Sequence, residues 1–212
     1  MPTKEDTNIK HHKTMRYTMP RKYTTMMLLS VMTLATFTGC KKDEDEAPVT
    51  PAAPTNETEL ITTVRLTFNT LNNTEYKYFT FIDLDGDGGN APMITADTLS
   101  SDSIYLLSVE VLDESGTPVV DITQEIIDEG VDHQFFYEDS SGLLQLAYGD
   151  ADANNLPIGQ TMSCITGLAG SGTLKVTLRH QPDKTAPGVS NGDITNAGGD
   201  TDLEVVFPLV VD

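Results

Sequence analysis

Apolar and polar residues alternate along most of the chain beyond residue 59, and that period of two predicts strands. In SIYLLSVEVL, Tyr105, Leu107, Val109 and Val111 share one face while Ser108 and Glu110 share the other. The same period groups Leu60, Val64, Leu66 and Phe68; then Leu144, Leu146 and Tyr148; then Leu174, Val176 and Leu178 against Lys175, Thr177 and Arg179. Leu203, Val205, Phe207, Leu209 and Val211 form a last strand, and Pro208, which has no N–H to give to a ladder, assigns it to a sheet edge. Further strands are expected near 75–83, 94–99, 133–138 and 160–167, about nine in all. Burial on one face only argues for antiparallel sheets packed against each other. The expected fold class is therefore all-β: an antiparallel β-sandwich of immunoglobulin-like or related Greek-key type. One segment departs from the period. Asp121-Ile122-Thr123-Gln124 has the form of a capping box and Gly130 supplies a stop, so one short helix is expected near 121–130.

The N-terminal part reads differently. Met26–Phe37, MMLLSVMTLATF, is a nearly unbroken apolar run of 12 residues preceded by Arg21 and Lys22. That is the length of a signal-peptide core, and it falls short of the roughly 20 apolar residues a bilayer span needs. Met15 or Met19 is an alternative start, since either leaves the basic pair directly before the apolar run. Phe37-Thr38-Gly39-Cys40 resembles the lipobox of bacterial lipoproteins, with Phe37 where leucine is usual. The resemblance implies that Cys40 is lipidated, becomes the mature N-terminus and anchors the protein in the membrane. The competing possibility is an ordinary secretory signal followed by an unrelated buried cysteine. Beyond it, Lys41-Lys42-Asp43-Glu44 resembles the lysine-then-acidic signal that exports some lipoproteins to the cell surface, and reads equally well as a solvated linker. Either way, residues 40–58, with Pro48, Pro51 and Pro54 among small polar residues, have the composition of a disordered tether. The expected organisation is a signal peptide over 1–39, lipidated Cys40 and tether over 40–58, and a single domain over 59–212.

Charge narrows the partners. Residues 1–39 hold 6 of the 13 basic and 2 of the 32 acidic side chains, which leaves 7 against 30 and a formal charge of −23 on the mature chain. Such a surface repels nucleic acid and favours cations over polyanions. With Cys40 lipidated, Cys164 is the remaining thiol and no intrachain disulfide can form. The stretches ELITTVRLTF, DLDGDGGNAP and RHQPDKTAPGVSNGDITNAGGDTDLEVVFPL resemble an uncharacterised family of small outer-membrane lipoproteins of Gram-negative bacteria, over nearly the whole mature chain. That resemblance implies an outer-membrane location, at the cell surface or the periplasmic face, and supplies no catalytic or ligand residues. Members sometimes carry the label of a type 1 periplasmic-binding fold. One expected helix does not provide the repeated βαβ units that fold requires.

The candidate chemistry lies in acidic loops. Gly86-Asp87-Gly88-Gly89-Asn90-Ala91 matches G-x-G-x-x-A, but Pro92 follows with no helix to hold a pyrophosphate, and the neighbouring aspartates would repel one. As a metal loop, Asp83, Asp85 and Asp87 offer oxygens at alternate positions before Ile94, which stands where an EF-hand has its bidentate glutamate. Asp150, Asp152 and Asn154 repeat the spacing, and Asp193, Asp200 and Asp202 make a third acidic loop. If successive strands alternate in direction, all three loops fall at the tethered end, and together they are candidate calcium ligands. The alternative is that Asp, Asn and Gly simply form tight turns. Two histidines, His133 and His180, without Cys or Glu at ligand spacing argue against zinc. Ser171 sits in a hairpin turn rather than a nucleophile elbow, and Cys164 reads as a packed thiol. Tyr76, Tyr78, Phe79 and Phe81 offer either a sugar-binding face or core packing. The sequence thus points to a non-enzymatic lipoprotein that binds a protein, glycan or cation partner. The alternative is a glycan-binding accessory or a carboxylate-dependent hydrolase, which would need a carboxylate pair about 5–9.5 Å apart in a cleft.

Overall fold

The computed structural model describes residues 60–86 and 89–212. The expectations for segment 1–39, for Cys40, for Lys41, Lys42, Asp43 and Glu44, and for Asp87 lie outside those residues. In chain order the described elements are β1 (Thr63–Thr70), β2 (Tyr76–Ile82), β3 (Met93–Ala96), β4 (Ile104–Asp113), β5 (Val120–Asp121), α1 (Ile122–Asp128), β6 (His133–Asp139), β7 (Leu144–Tyr148), β8 (Thr161–Thr166), β9 (Gly170–His180) and β10 (Asp200–Val211). Two single-turn 3-10 helices, Val189–Asn191 and Ile194–Asn196, lie between β9 and β10.

The strands form two sheets. The larger has the order β3-β2-β1-β4-β8-β7 with the short β5 on β4, and the smaller has the order β10-β9-β6. Every ladder between named strands is antiparallel, and an isolated parallel bridge joins Leu99 to Val211. This is the all-β sandwich with one short helix that the alternation predicts, and Pro208 does lie in an edge strand of the small sheet.

The period of two fixes what faces inward. Val64, Leu66 and Phe68 of β1, the Tyr105 to Val111 row of β4, and Met162 and Cys164 of β8 are buried against Leu174, Val176 and Leu178 of β9 and the Leu203 to Val211 row of β10. Phe79 joins the layers: its ring lies 4.9 Å from Phe68 in its own sheet and 5.8 Å from Phe207 in the opposite one. Leu60, expected on the inward face, is exposed because β1 begins only at Thr63.

Helix α1 begins where its cap is. The Asp121 carboxylate accepts the Thr123 N–H at 3.0 Å, satisfying one of the orphan donors of the first turn. The reciprocal half of a capping box does not form, because the Gln124 amide donates to Asp128 at 2.8 Å instead of reaching back. Ile122 and Ile126 enter the core, and the Thr123 hydroxyl pins the helix to β4, accepting from the Val111 N–H at 2.8 Å.

Candidate functional site

The ladders place the connections 83–92, 149–160 and 181–199 at one end of the sandwich and the turns 71–75, 97–103, 140–143 and 167–169 at the other, as the counting of strand directions predicts, while the short β4–β5 turn shares the end of the long connections. At that end the acidic side chains serve their own loops. Asp83 accepts the Gly86 N–H at 3.0 Å, and Asp85 accepts both the backbone N–H and the side-chain amide of Asn90, at 2.9 and 2.7 Å. These bonds from Asn90 hold the Asp85 carboxyl below its ordinary range. Asp150 takes the N–H groups of Gly159 and Thr161, and Asp193 caps the second 3-10 turn through the Thr195 N–H. Asp152 takes the N–H groups of Asn154 and Leu156, while Asn154 and Asp200 are exposed at the surface. The described members of the expected calcium set are therefore spread over separate groups of donors, and Asp83, Asp85, Asp150, Asp152 and Asp193 each accept nearby backbone N–H groups, as turn-forming aspartates do.

One buried cation ties two of these loops, 149–160 and 181–199, to the turn after α1. Lys184, from the 181–199 connection, points its ammonium at Asp152, 2.9 Å away, at the Pro157 carbonyl, also 2.9 Å away, and at the Gly130 carbonyl after α1. All three ammonium protons have an acceptor, and the Lys184 and Asp152 side chains are 3 % and 1 % exposed. Burial pushes the lysine pKa down against the pull of Asp152. Burial also acts to raise the Asp152 carboxyl, but its bonds from Leu156, Lys184 and Asn154 outweigh that and hold it below the usual range.

Asp202 has a different environment. His133 opens β6, His180 closes β9, and the ladder sets them directly opposite each other, continuing the inward rows of Phe135 and Leu178. On the other side of β9, the β10 register slips between Thr201 and Leu203, so Asp202 is the extra residue of a β-bulge. Just before it, Gly199 has φ 68° and approaches the His180 carbonyl so closely that a Cβ there has no room. The bulge aims the carboxylate at both rings: Asp202 Oδ2 lies 3.8 Å from His133 Nε2 and 3.6 Å from His180 Nδ1. The rings meet edge to face with centroids 4.7 Å apart. Burial is the main cause that lowers the His133 pKa, and burial is likewise what raises that of Asp202. Among the described residues, this trio is the group of three or more His, Cys, Asp or Glu whose ligand atoms lie within 4.8 Å of one another.

Of the eight described residues expected to bind calcium, Asp202 is thus the one whose carboxylate falls in a cluster with two other ligand-type side chains, and its companions are histidines. Sequence spacing could not show this, because His133 and His180 are 47 positions apart and meet only through a strand register. Cys164 is buried, with its thiol pushed by burial up to about 12, which leaves it without nucleophilic character at neutral pH.

The four aromatics of the candidate sugar face divide by parity. Phe79 is fully buried and Phe81 packs against the core, whereas Tyr76 and Tyr78 are 45 % and 44 % exposed on the outer face of the large sheet. Across that face, Tyr78 pairs with Thr67, Thr67 with Ser108, and Ser108 with Thr161. Arg65 and Glu110 neutralise each other beside this row. The result is a shallow depression of about 450 Å³ lined by two phenol rings, hydroxyls and the Gln160 amide.

No helix among the described residues is long and apolar enough to cross a membrane. No family model, no curated protein and no solved structure matches the chain.

Proposed function

We propose that the chain is a lipid-anchored lipoprotein of the outer membrane whose sandwich is a non-enzymatic binding module for a neutral glycan. The observation that carries this reading is the outer face around Tyr76 and Tyr78. Phenol rings present flat apolar surface to the C–H face of a sugar, and the neighbouring Thr67, Ser108 and Gln160 offer hydrogen-bond donors and acceptors for its hydroxyls. The depression contains one internally cancelled ion pair, Arg65 with Glu110, and the single carboxylate of Asp121 in a chain of formal charge −19, so it suits an uncharged ligand. The lipobox resemblance at Cys40 and the tether supply the anchor. The low supply of candidate nucleophiles, with Cys164 buried, favours binding over catalysis.

Affinity electrophoresis through gels containing neutral polysaccharides (β-glucan, mannan, xylan, starch) tests the binding face. The wild-type chain is expected to be retarded by at least one of them. Tyr76→Ala with Tyr78→Ala is expected to abolish the retardation while shifting stability by no more than about 0.5 kcal/mol per residue, as for other exposed positions. Migration unaffected by every polysaccharide, or equal retardation of the double variant, would contradict the glycan assignment.

The anchor has its own test. Cys40→Ala is expected to move the protein from the outer-membrane fraction to the soluble fraction, because a lipobox without its cysteine leaves nothing to acylate. Neutralising Lys41, Lys42, Asp43 and Glu44 is expected to leave it anchored but protected from protease added to intact cells. Processed Cys40→Ala protein retained in the outer membrane would exclude the lipid anchor, and equal protease sensitivity of both forms would reduce the charged run to a linker.

A further inference from the structure

We propose that His133, His180 and Asp202 form a binding site for one divalent first-row transition-metal ion, with zinc as the reference ion, that clips together the ends of β6, β9 and β10. This site is separate from the outer-face depression and does not depend on the glycan reading.

The spacing of the three side chains fits an ion better than it fits direct hydrogen bonding. A carboxylate bonded to an imidazole sits at about 2.7–3.2 Å, and the separations here, 3.6 and 3.8 Å, are beyond that range. Two donors that each lie about 2.0–2.2 Å from a tetrahedral zinc are roughly 3.3–3.6 Å apart. The two carboxylate-to-imidazole separations are thus within a few tenths of an ångström of a metal-bound pair, and all three ligand atoms lie within 4.8 Å of one another, so closing the set onto one ion takes side-chain shifts of up to about an ångström.

The ring orientation is also set from outside the cluster. His133 Nδ1 lies 3.3 Å from the Glu129 carbonyl, an acceptor, so the tautomer that donates there keeps its proton on Nδ1. Its Nε2, 3.8 Å from Asp202 Oδ2, then carries the free lone pair, and a backbone acceptor on the other ring nitrogen is the usual second-shell arrangement of a metal-bound histidine. The His133 side chain is only 3 % exposed, so its ring is held in place by the surrounding packing rather than free to turn into solvent. Asp202, 18 % exposed, is a partly buried carboxylate with no Lys or Arg ion pair among the described residues, and a bound cation would supply a countercharge.

Ligand chemistry selects the ion. Two imidazoles and one carboxylate suit zinc, copper, nickel or cobalt, while calcium and magnesium prefer oxygen donors throughout. The protein supplies three ligands, which leaves at least one position for water or an outside donor. Asp202 also lines a depression of about 350 Å³ with Phe81, Asp83 and Glu204, which gives the carboxylate access to solvent.

The test uses the purified full chain, stripped with a chelator and titrated by calorimetry with zinc and, separately, calcium. The expected result is one zinc per chain at this site and a rise in melting temperature with zinc that calcium does not reproduce. His180→Gln and Asp202→Asn are each expected to weaken zinc binding by roughly tenfold or more, at least the loss seen when a supporting group is removed. Should either variant fail to fold, copper loaded into the wild-type chain provides the second readout, with nitrogen hyperfine coupling from two imidazoles expected in its electron paramagnetic resonance spectrum. No zinc binding, undiminished binding by both folded variants, or copper without imidazole coupling would overturn the site and leave the trio as a packed polar cluster.

Discussion

Replacing Lys184 with methionine is expected to destabilise the domain by about 3–5 kcal/mol, measured as the loss in unfolding free energy from urea or guanidinium titration. Methionine fills similar space but cannot donate, so Asp152 loses its countercharge and the Gly130 and Pro157 carbonyls lose their donor in a site with almost no solvent. Each buried acceptor left unpaired costs about 1–3 kcal/mol. Adding Asp152→Asn is expected to recover part of the loss, because the neutral amide no longer requires a partner charge, although the two carbonyls remain unpaired. The pair also carries a pH signature. Bonds from Leu156, Lys184 and Asn154, working against burial, hold the folded-state pKa of Asp152 below its ordinary value. Its contribution is therefore fully present above the unfolded carboxylate pKa, near 3.9, and is lost as pH falls through the depressed folded value. Lys184→Met removes one cause of that depression, so the acid decline in stability should become shallower. A variant as stable as the parent, with the same acid limb, would show that Lys184 does not organise the loop end.

The second large effect is expected in the layer between the sheets. Phe79→Ala should cost about 3–5 kcal/mol, the range for emptying a buried aromatic site. The ring is fully buried and touches aromatic neighbours in both sheets, Phe68 and Phe207, so no single neighbour can collapse into the space without leaving another contact. Tyr78→Ala, one position earlier in the same strand, should change stability by about 0.5 kcal/mol or less because its ring stands on the outer face. The contrast between adjacent residues checks the inward and outward assignment of β2. Similar losses at both positions would mean that the strand is rotated or that its outer face is covered.

The contrast in β2 also shows how far the sequence was legible. Where one face of a strand is buried and the other wet, side-chain chemistry records the orientation residue by residue, and the Tyr105 to Val111 and Leu203 to Val211 rows lie as their alternation predicts. Helix α1 was legible through the Asp121 cap, within a residue or two at each end. The common end of the three long loops followed from counting antiparallel strands. What those loops do was hidden, because the composition of a calcium loop and that of an Asx turn are the same: Asp83, Asp85, Asp150 and Asp193 are spaced for ligands and bonded to backbone N–H groups. The histidine pair was hidden for another reason. Its geometry depends on the β6–β9 register and on a one-residue bulge in β10, and neither leaves a local spacing to read. Lys184 was missed because a lysine in a polar loop has no sequence mark of burial.

In the proposed metal site, the loop end of this sandwich gathers ligands from three neighbouring strands onto one position. Crystals of the full chain grown with zinc, measured above and below the zinc absorption edge, test that claim most directly. The prediction is a single strong anomalous peak within bonding distance of His133 Nε2, His180 Nδ1 and an Asp202 carboxylate oxygen. A map with no peak there, or with zinc bound only to exposed loop aspartates such as Asp193, would contradict it.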